Sequence, residues 1–542
     1  MNTIDQLLES ISAESPVVDN PAGLMHNYMA RKPYNTVKSI ICALSPENGF
    51  VYDPMAGSGT TVIEAAKSGR HALGADVNPI ANLIAKTTLK KWDLNKLKVL
   101  IADYMKDLES FQSKIYGITV NDTSCVIERC HFCWDGNTLQ PEEYWYKPIK
   151  AQGGYSTRKK AFADKDFCDL YHGFANTPIK HIKNRLLIPN SRIAIPEDRS
   201  VYDYFCNRNI VFLDTAKMLL EKRSNEYGYD VLRLLFSSAI NLVKISDKKA
   251  SSQIPFWIPK RNVTSRNGYF VFQKKAKAIQ EGLEYCNREL AAFYNDNPSC
   301  LYGDGTYVNC YLGGAQNIPA DCLPAASVDL IVTDPPYTDQ VPYVEYSQLT
   351  AAVMDIDIDE SLQDELVVSD APSRNKSSKD FNTVFEQIME RSYQALKDDG
   401  YLAMFYHSFD LKSWDSILTM MREAGYSYID QTAIAAPRKS FKTVMSPGKT
   451  LDGNYLIIFR KRSNLPDPAF KGDLQEAERL AISKAKRIAT EKSNSTLQTI
   501  YDEGLLKDSI ENGYLHVLAT HHKTFAAIVE SALNEEAGCT GY

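Results

Sequence analysis

"FVYDPMAGSGTTVIEAAKSGRHALGADVNP", residues 50–79, reads as strand, loop, helix and strand in close succession. Phe50 to Tyr52 are strand-like, Gly57-Ser58-Gly59 permits positive φ, and Thr60 to Lys67 has helical character. "HALGAD" returns as a second short strand and ends on Asp76. Open α/β sheets bind ligands outside the carboxyl ends of their strands, and an acid in this place suits the two hydroxyls of a ribose. A tight turn without a ligand is the bland alternative.

Three nucleotide-binding chemistries compete for the loop. A phosphate-cradling loop needs a lysine after its last glycine, where Thr60 and Thr61 stand. A dinucleotide fingerprint needs a third glycine where Val62 stands. S-adenosylmethionine carries no pyrophosphate and needs only close backbone approach at a glycine loop. It is the third candidate for the loop.

A second corner lies far along the chain. "SVDLIVTDPPY", residues 327–337, opens as a buried strand, so Asp334 falls where that strand leaves its sheet. Pro335 and Pro336 fix φ and lack donors, leaving outward carbonyls as acceptors beside the aromatic Tyr337. Asp334, Pro335, Pro336 and Tyr337 are the catalytic candidates, Asp334 facing the cofactor as well. Asp334 as a loop cap and Tyr337 as a core aromatic are the plainer alternatives, and Tyr343 and Tyr346 read as packing residues.

"DPMAGSGTT", "GADVNP" and "DPPY", in this order, resemble the amino-methyltransferases of DNA, which methylate adenine N6 or cytosine N4. "HNYMARKPYNTVKSII", His26 to Ile41, is similar to the segment that closes over the methionine end of the cofactor in that family. "LKDDGYLAMFYHS" and "GNYLIIFRK" are similar to its later strands, so the resemblance spans residues 20–90 and 300–462. It implies a Rossmann-like, doubly wound α/β methyltransferase sheet of seven-strand type, with S-adenosylmethionine held by Asp53, Pro54, Ala56, Gly57, Ser58, Gly59, Thr60, Asp76, Asn78 and Asp334. It also implies that Asp334 and the Pro335 carbonyl accept the two amino hydrogens of a flipped-out base stacked on Tyr337. An aspartate at this corner implies adenine over cytosine, and Asp304 in "LYGDGT" is a candidate neighbour of the cofactor's adenine, with a plain turn as the alternative. RNA guanine-N2 methyltransferases share parts of these motifs, but generally bring an amino-terminal RNA-binding domain, and about 25 residues precede "HNYM". A DNA-binding protein with a decayed methylase core is the non-enzymatic alternative.

At 542 residues, with 44% hydrophobic and 24% charged residues, the chain suits a multidomain globular protein. No run of 18 apolar residues and no basic-then-apolar leader appear, so a cytoplasmic protein without a membrane partner is expected. The net charge of −6 conceals an asymmetry: residues 141–280 hold 25 Lys and Arg against 13 Asp and Glu. A basic surface on an acidic protein suits double-stranded DNA, with partner subunits of a restriction or phage-defence system also conceivable.

The expected layout is a first half of the core at 1–100, an inserted α+β target-recognition domain at 101–298, a second half at 299–462 and a helical appendage at 463–542. Within the insert, Arg158, Lys159, Lys160, Lys260 and Arg261 are the phosphate-binding candidates, interleaved with aromatics such as Tyr155, Phe256 and Trp257. Arg208 is a further candidate for a phosphate or cofactor contact, with an ordinary helix-start arginine as the alternative. Cys130 and Cys133, with Cys168 and His172, have a spacing that suits a structural zinc site, against reduced cysteines that pack or are remnants of a former site. Helices are expected at about 211–224, 227–246 and 272–294 from apolar positions three and four apart.

Overall fold

In this computed structural model the described residues are 3–528, apart from 30, 137, 248–261, 337–341, 370, 372–373, 409, 435–453, 462–469, 492–499 and 527. The stretch that opens the sequence reading forms β1 (Phe50–Asp53), the helix Thr60–Lys67 and β2 (His71–Asp76). All four β1 residues are buried, as a strand covered by helices on both faces requires.

Twelve further strands follow: β3 (Gly117–Val120), β4 (Thr123–Asp135), β5 (Thr138–Pro148), β6 (Lys159–Phe162), β7 (Ser246–Asp247), β8 (Asn262–Arg266), β9 (Phe293–Tyr294), β10 (Tyr307–Leu312), β11 (Val328–Thr333), β12 (Leu396–Tyr406), β13 (Tyr426–Ile434) and β14 (Asn454–Lys461). Eight of the strands make one sheet in the order β13-β14-β12-β11-β1-β2-β10-β9. Its pairings are parallel except those of β14, which runs antiparallel to both β12 and β13. This is the Rossmann-like, doubly wound α/β sheet the motifs imply, with eight strands where seven are expected.

Pleating divides the sheet's side chains between two cores. Val51, Ala72, Leu330 and Val332 join an apolar cluster with the helices Tyr34–Leu44, Thr60–Lys67 and Pro79–Leu89. Tyr52, Leu73 and Ile331, one residue out of phase, join the other with the helices Ser378–Ala395 and Leu411–Glu423. The chain winds from β1 to β2 and β10 on one side and to β11 and β12 on the other, so the switch point lies between β1 and β11. Tyr52 stands opposite Ile331 in a parallel register, and both strands therefore release their chains on one edge, at Asp53 and Asp334.

Between β2 and β9 the chain builds an antiparallel sheet, β6-β5-β4-β8-β7, with β3 on β4. The helices Leu94–Tyr116, Asn207–Glu221, Tyr229–Val243 and Gly268–Glu289 bury their apolar faces in the first core. The last three begin a few residues from where periodicity places them, because local signals set the starts. Gly228 enters its helix at φ 86°, and the Asn267 side chain accepts the Phe270 N–H.

After β14, the helix Leu474–Glu491 buries Ala477, Ala481, Ala485 and Ile488 in the second core. Leu411 N–H donates to the Lys523 carbonyl at 2.9 Å, and His516 Nδ1 lies 2.9 Å from Asp415 Oδ2. These contacts join the carboxyl-terminal helices to the helix Leu411–Glu423. Among the described residues no helix is long and apolar enough to cross a membrane.

Candidate active site

A cavity of about 940 Å³, its open mouth included, lies at the switch point. The glycine loop supplies one wall. Gly57 sits at φ 53°, and its N–H donates to Asp76 Oδ2 at 2.7 Å. Asn78 N–H donates to Asp76 Oδ1 at 2.8 Å, so Asp76 ties the loop after β1 to the end of β2. Burial pushes the Asp76 carboxyl up to about 6 against the pull of those two bonds. Asp53 is pushed up to about 7 by burial, opposed by the Thr61 hydroxyl and the Met55 N–H, and raised further by Asp334 and Asp76. Asp53, Pro54, Ala56, Gly57, Ser58, Thr60 and Asp76 all line the cavity.

Gly59 and Asn78 do not line it. Gly59, at φ 88°, opens the helix Thr60–Lys67, and an added Cβ would come within 2.9 Å of Ala85 Cβ. Packing against the helix Pro79–Leu89, rather than ligand approach, demands its bare backbone. Asn78 is fully buried; its Oδ1 accepts the Ile80 N–H and its Nδ2 donates to Ser347 Oγ at 2.7 Å. It caps one helix and tethers another.

From β11, Val332, Thr333, Asp334 and Pro336 face the same cavity, whereas Pro335 is buried beside it. Thr333 Oγ1 is buried without a hydrogen-bond partner among the described residues. Lys32 Nζ lies 2.7 Å from Asp334 Oδ2. Arg31 pins the glycine loop from the other side: its Nε donates to Ser58 Oγ at 2.9 Å and its terminal nitrogens to the Gly23 and His26 carbonyls. Tyr28 and Tyr343 stack across the cavity with ring centroids 6.4 Å apart and planes 12° from parallel. Burial raises both phenols, which stay protonated.

The helix Tyr343–Met354, which follows the corner, is held by a buried ion cluster. Arg374 donates to Glu345 Oε1 at 2.9 Å and to Glu365 Oε2 at 3.0 Å, all three side chains being almost fully buried. Glu365 Oε1 accepts the Val344 N–H at 2.9 Å, and burial pushes Glu365 up to about 6. From the insert, the Asn190 side-chain amide donates to Glu345 Oε2, and Gln348 Oε1 accepts the Ile188 N–H at 2.7 Å. Segments distant in sequence therefore meet around the corner.

Several sequence expectations need correction. Cys130, Cys133, Cys168 and His172 do not form a zinc site. Cys130 and Cys133 are three apart on β4, where its pairing with β8 runs unbroken, so they point to opposite faces. Cys133 and Cys168 bond to the carbonyls of Gln140 and Pro141, His172 Nε2 lies 3.3 Å from Gln140 Oε1, and burial holds Cys130 as a thiol. Among the described residues no group of three or more potential ligands has metal-binding geometry. Arg208 is 1% exposed, between the Tyr171 and Phe174 rings, and bonds the Ile115 and Leu170 carbonyls, so it is a structural cation. Asp304 is exposed and precedes β10, on the edge opposite the cavity, where Gly313 to Gln316 after β10 form the wall instead.

Arg158 and Lys160 are partly exposed but paired, with Glu128 at 3.6 Å and Glu143 at 2.6 Å, while Lys159 is exposed beside them on β6. Tyr337, Lys260, Arg261, Phe256 and Trp257 lie outside the described residues.

Residues 9–86 match the family model described as a DNA methylase of the N6 and N4 type. A type II methyltransferase of Methanocaldococcus jannaschii is 34% identical over 66 residues, covering 12% of each chain. A type II methyltransferase of Haemophilus influenzae is 41% identical over 51 residues, covering 9% of this chain and 16% of that one. The chain thus spans less than a fifth of the curated relatives it matches. Among solved structures, an rRNA methyltransferase of Streptomyces viridochromogenes aligns at 8% identity with a TM-score of 0.26, over 85% of this chain and 95% of that one.

Proposed function

We propose that this chain is an S-adenosylmethionine-dependent DNA methyltransferase acting on an exocyclic amino nitrogen, with adenine N6 as the target. One observation carries the proposal: Asp334, at the end of β11, opens into the same cavity as the glycine loop and Asp76. The cavity's chemistry fits the cofactor. Asp53, Asp76 and Glu365 offer negative charge to a ligand bearing a sulfonium and an ammonium, and the buried Thr333 hydroxyl offers an unused partner. Asp76 would take the ribose with the lone pairs its backbone bonds leave free, and Gly57 would allow close backbone approach. When bound, S-adenosylmethionine supplies an electrophilic methyl group.

The chain's own task is to prepare the amine. The lone pair of an exocyclic amine is delocalised into its ring, so the nitrogen is a poor nucleophile. Asp334 and the Pro335 carbonyl accept the two amino hydrogens, draw the nitrogen toward tetrahedral geometry and release its lone pair. The base must leave the duplex to reach this corner, with Tyr337 as its stacking partner. Such catalysis works through positioning and directed hydrogen bonds. An aspartate at the corner supports adenine over cytosine.

We divide the chain into the cofactor half, 1–100, the target-recognition insert, 101–298, the catalytic half, 299–462, and the helical appendage, 463–542. Double-stranded DNA is the partner, read in the cytoplasm for modification in restriction or phage defence, with or without partner subunits. Transfer of tritiated methyl to DNA lacking the mark, followed by nucleoside digestion, tests the whole reading. The wild type should yield N6-methyladenine, and Asp334→Ala should lose about 10²–10³ in rate, as for loss of a transition-state hydrogen bond. Near-wild-type transfer by Asp334→Ala, or transfer to structured RNA in preference to DNA, would overturn it.

A further inference from the structure

We propose that Lys32 is a positioning residue for the reaction: its ammonium holds Asp334 Oδ2 and favours the charged carboxylate where the target amine meets it. The inference rests on the role just given to Asp334. It starts from the backbone. Pro33, at φ −60°, begins the helix Tyr34–Leu44, and a residue before proline is held extended, so the Lys32 main chain is fixed at a rigid helix start. Its side chain then runs into the cavity, with Nζ 5.5 Å from the centre of the Phe405 ring on β12 and 2.7 Å from Asp334 Oδ2 on β11. The lysine and aspartate side chains are 12% and 21% exposed, so the pair is largely sheltered from screening.

The surroundings explain why a cation is needed there. Asp53 from β1 and Asp76 from β2 face the cavity beside Asp334, and Asp364 and Glu365 reach it from the segment beyond the helix Tyr343–Met354. Carboxyls sharing a sheltered site cannot all ionise freely. The repulsion is visible on Asp53, which Asp334 and Asp76 push upward. Arg31 directs its guanidinium to Ser58 and two carbonyls, and the phenols of Tyr28 and Tyr343 carry no charge. The ammonium of Lys32 therefore favours the charged, accepting form of Asp334, the carboxyl it contacts.

A pH profile separates this role from simple packing. The rate constant kcat is measured from pH 5.5 to 9 with cofactor and DNA saturating, so that protonation of Asp53, which weakens cofactor binding, appears in KM instead. Lys32→Gln keeps the side chain's length without its charge; Lys32→Arg keeps the charge. The acid limb of Lys32→Gln should lie about 1–3 pH units above that of the wild type, the usual effect of a neighbouring opposite charge. Its rate relative to the wild type should then be lower at pH 5.5 than at pH 9, and Lys32→Arg should keep the wild-type limb. A uniform loss at every pH, or a limb equally displaced in Lys32→Arg, would overturn the inference. If Lys32→Gln fails to fold, Lys32→Met, which also keeps the length without the charge, takes its place in the same profile. A wild type inactive on every DNA would remove the proposed function and this inference together. An active wild type, an inactive Asp334→Ala and an unmoved limb would overturn the inference alone.

Discussion

Asp53 sets stability against binding, and Asp53→Asn should expose both. The carboxyl is 5% exposed, with a pKa near 7 in the fold against an ordinary 3.8. A carboxyl raised in this way favours the folded state fully below its ordinary value and loses that advantage as pH climbs to about 7. About 3 pH units at roughly 1.4 kcal/mol each amount to about 4 kcal/mol lost by pH 8. Asparagine has the same shape, can still accept the Met55 N–H that now lies 3.0 Å from Asp53 Oδ1, and carries no charge. Without cofactor, Asp53→Asn should therefore melt several degrees above the wild type at pH 8 and level with it at pH 4. Cofactor binding should move the other way. A charged hydrogen-bond partner contributes about 1.5–3 kcal/mol, so affinity for S-adenosylmethionine should fall about 10- to 100-fold at pH 8. Wild-type affinity should itself weaken as pH drops through 7, while that of the variant should vary less. Scanning calorimetry of the free protein and titration calorimetry with the cofactor measure both. A variant that is less stable at pH 8 and binds as tightly as the wild type would refute the electrostatic account of the cavity.

Gly57→Val should abolish cofactor binding without unfolding the chain: φ is 53°, and a Cβ would stand 3.1 Å from Tyr28 Cε1 inside the cavity. Undiminished binding by calorimetry would remove the loop from the site. Replacing Arg158, Lys159 and Lys160 together by Gln should flatten the salt dependence of DNA binding. Because Glu128 and Glu143 already pair two of them, the fall in slope should be nearer 1 than the roughly 2.7 expected of three free contacts. A slope identical to the wild type in a filter-binding series would assign these residues to a solvated face.

Much of the main sheet can be read in the sequence because its strands are short, apolar and bounded by turn chemistry. Phe50–Asp53, His71–Asp76 and Val328–Thr333 each end on or next to an acid or glycine, and each is a parallel strand of the sheet. Tyr426–Ile434 escapes such reading: "YSYIDQTAI" mixes polar and apolar residues because it is an edge strand paired only with β14 and broken by a bulge. The role of the last helices escapes as well. The alanines of Leu474–Glu491 could face solvent or a partner equally, and only the second core shows which face they cover.

The site divides along the same physical line. Asp53, Asp76 and Asp334 are recognisable because each chemistry-bearing residue stands at the carboxyl end of its own strand, which is a local property. Asp304 looks equivalent in sequence, since it too sits in a loop beside a strand. It precedes β10, however, and in a parallel sheet only the loops that follow strands reach the ligand edge, so Gly313 to Gln316 take its place. Lys32, Tyr28 and Tyr343 carry no such local mark. A lysine before a proline is ordinary until the fold sets it 2.7 Å from an acid on a strand hundreds of residues away. A tyrosine opening a helix is ordinary until its ring meets another across the cavity. Sequence pattern thus locates the groups that act on a ligand, whereas the groups that set their charge and orientation are defined only by contacts between distant segments. The Asp53 and Lys32 variants probe those contacts, and their effects should appear as displaced pH dependences, which a change confined to packing would leave in place.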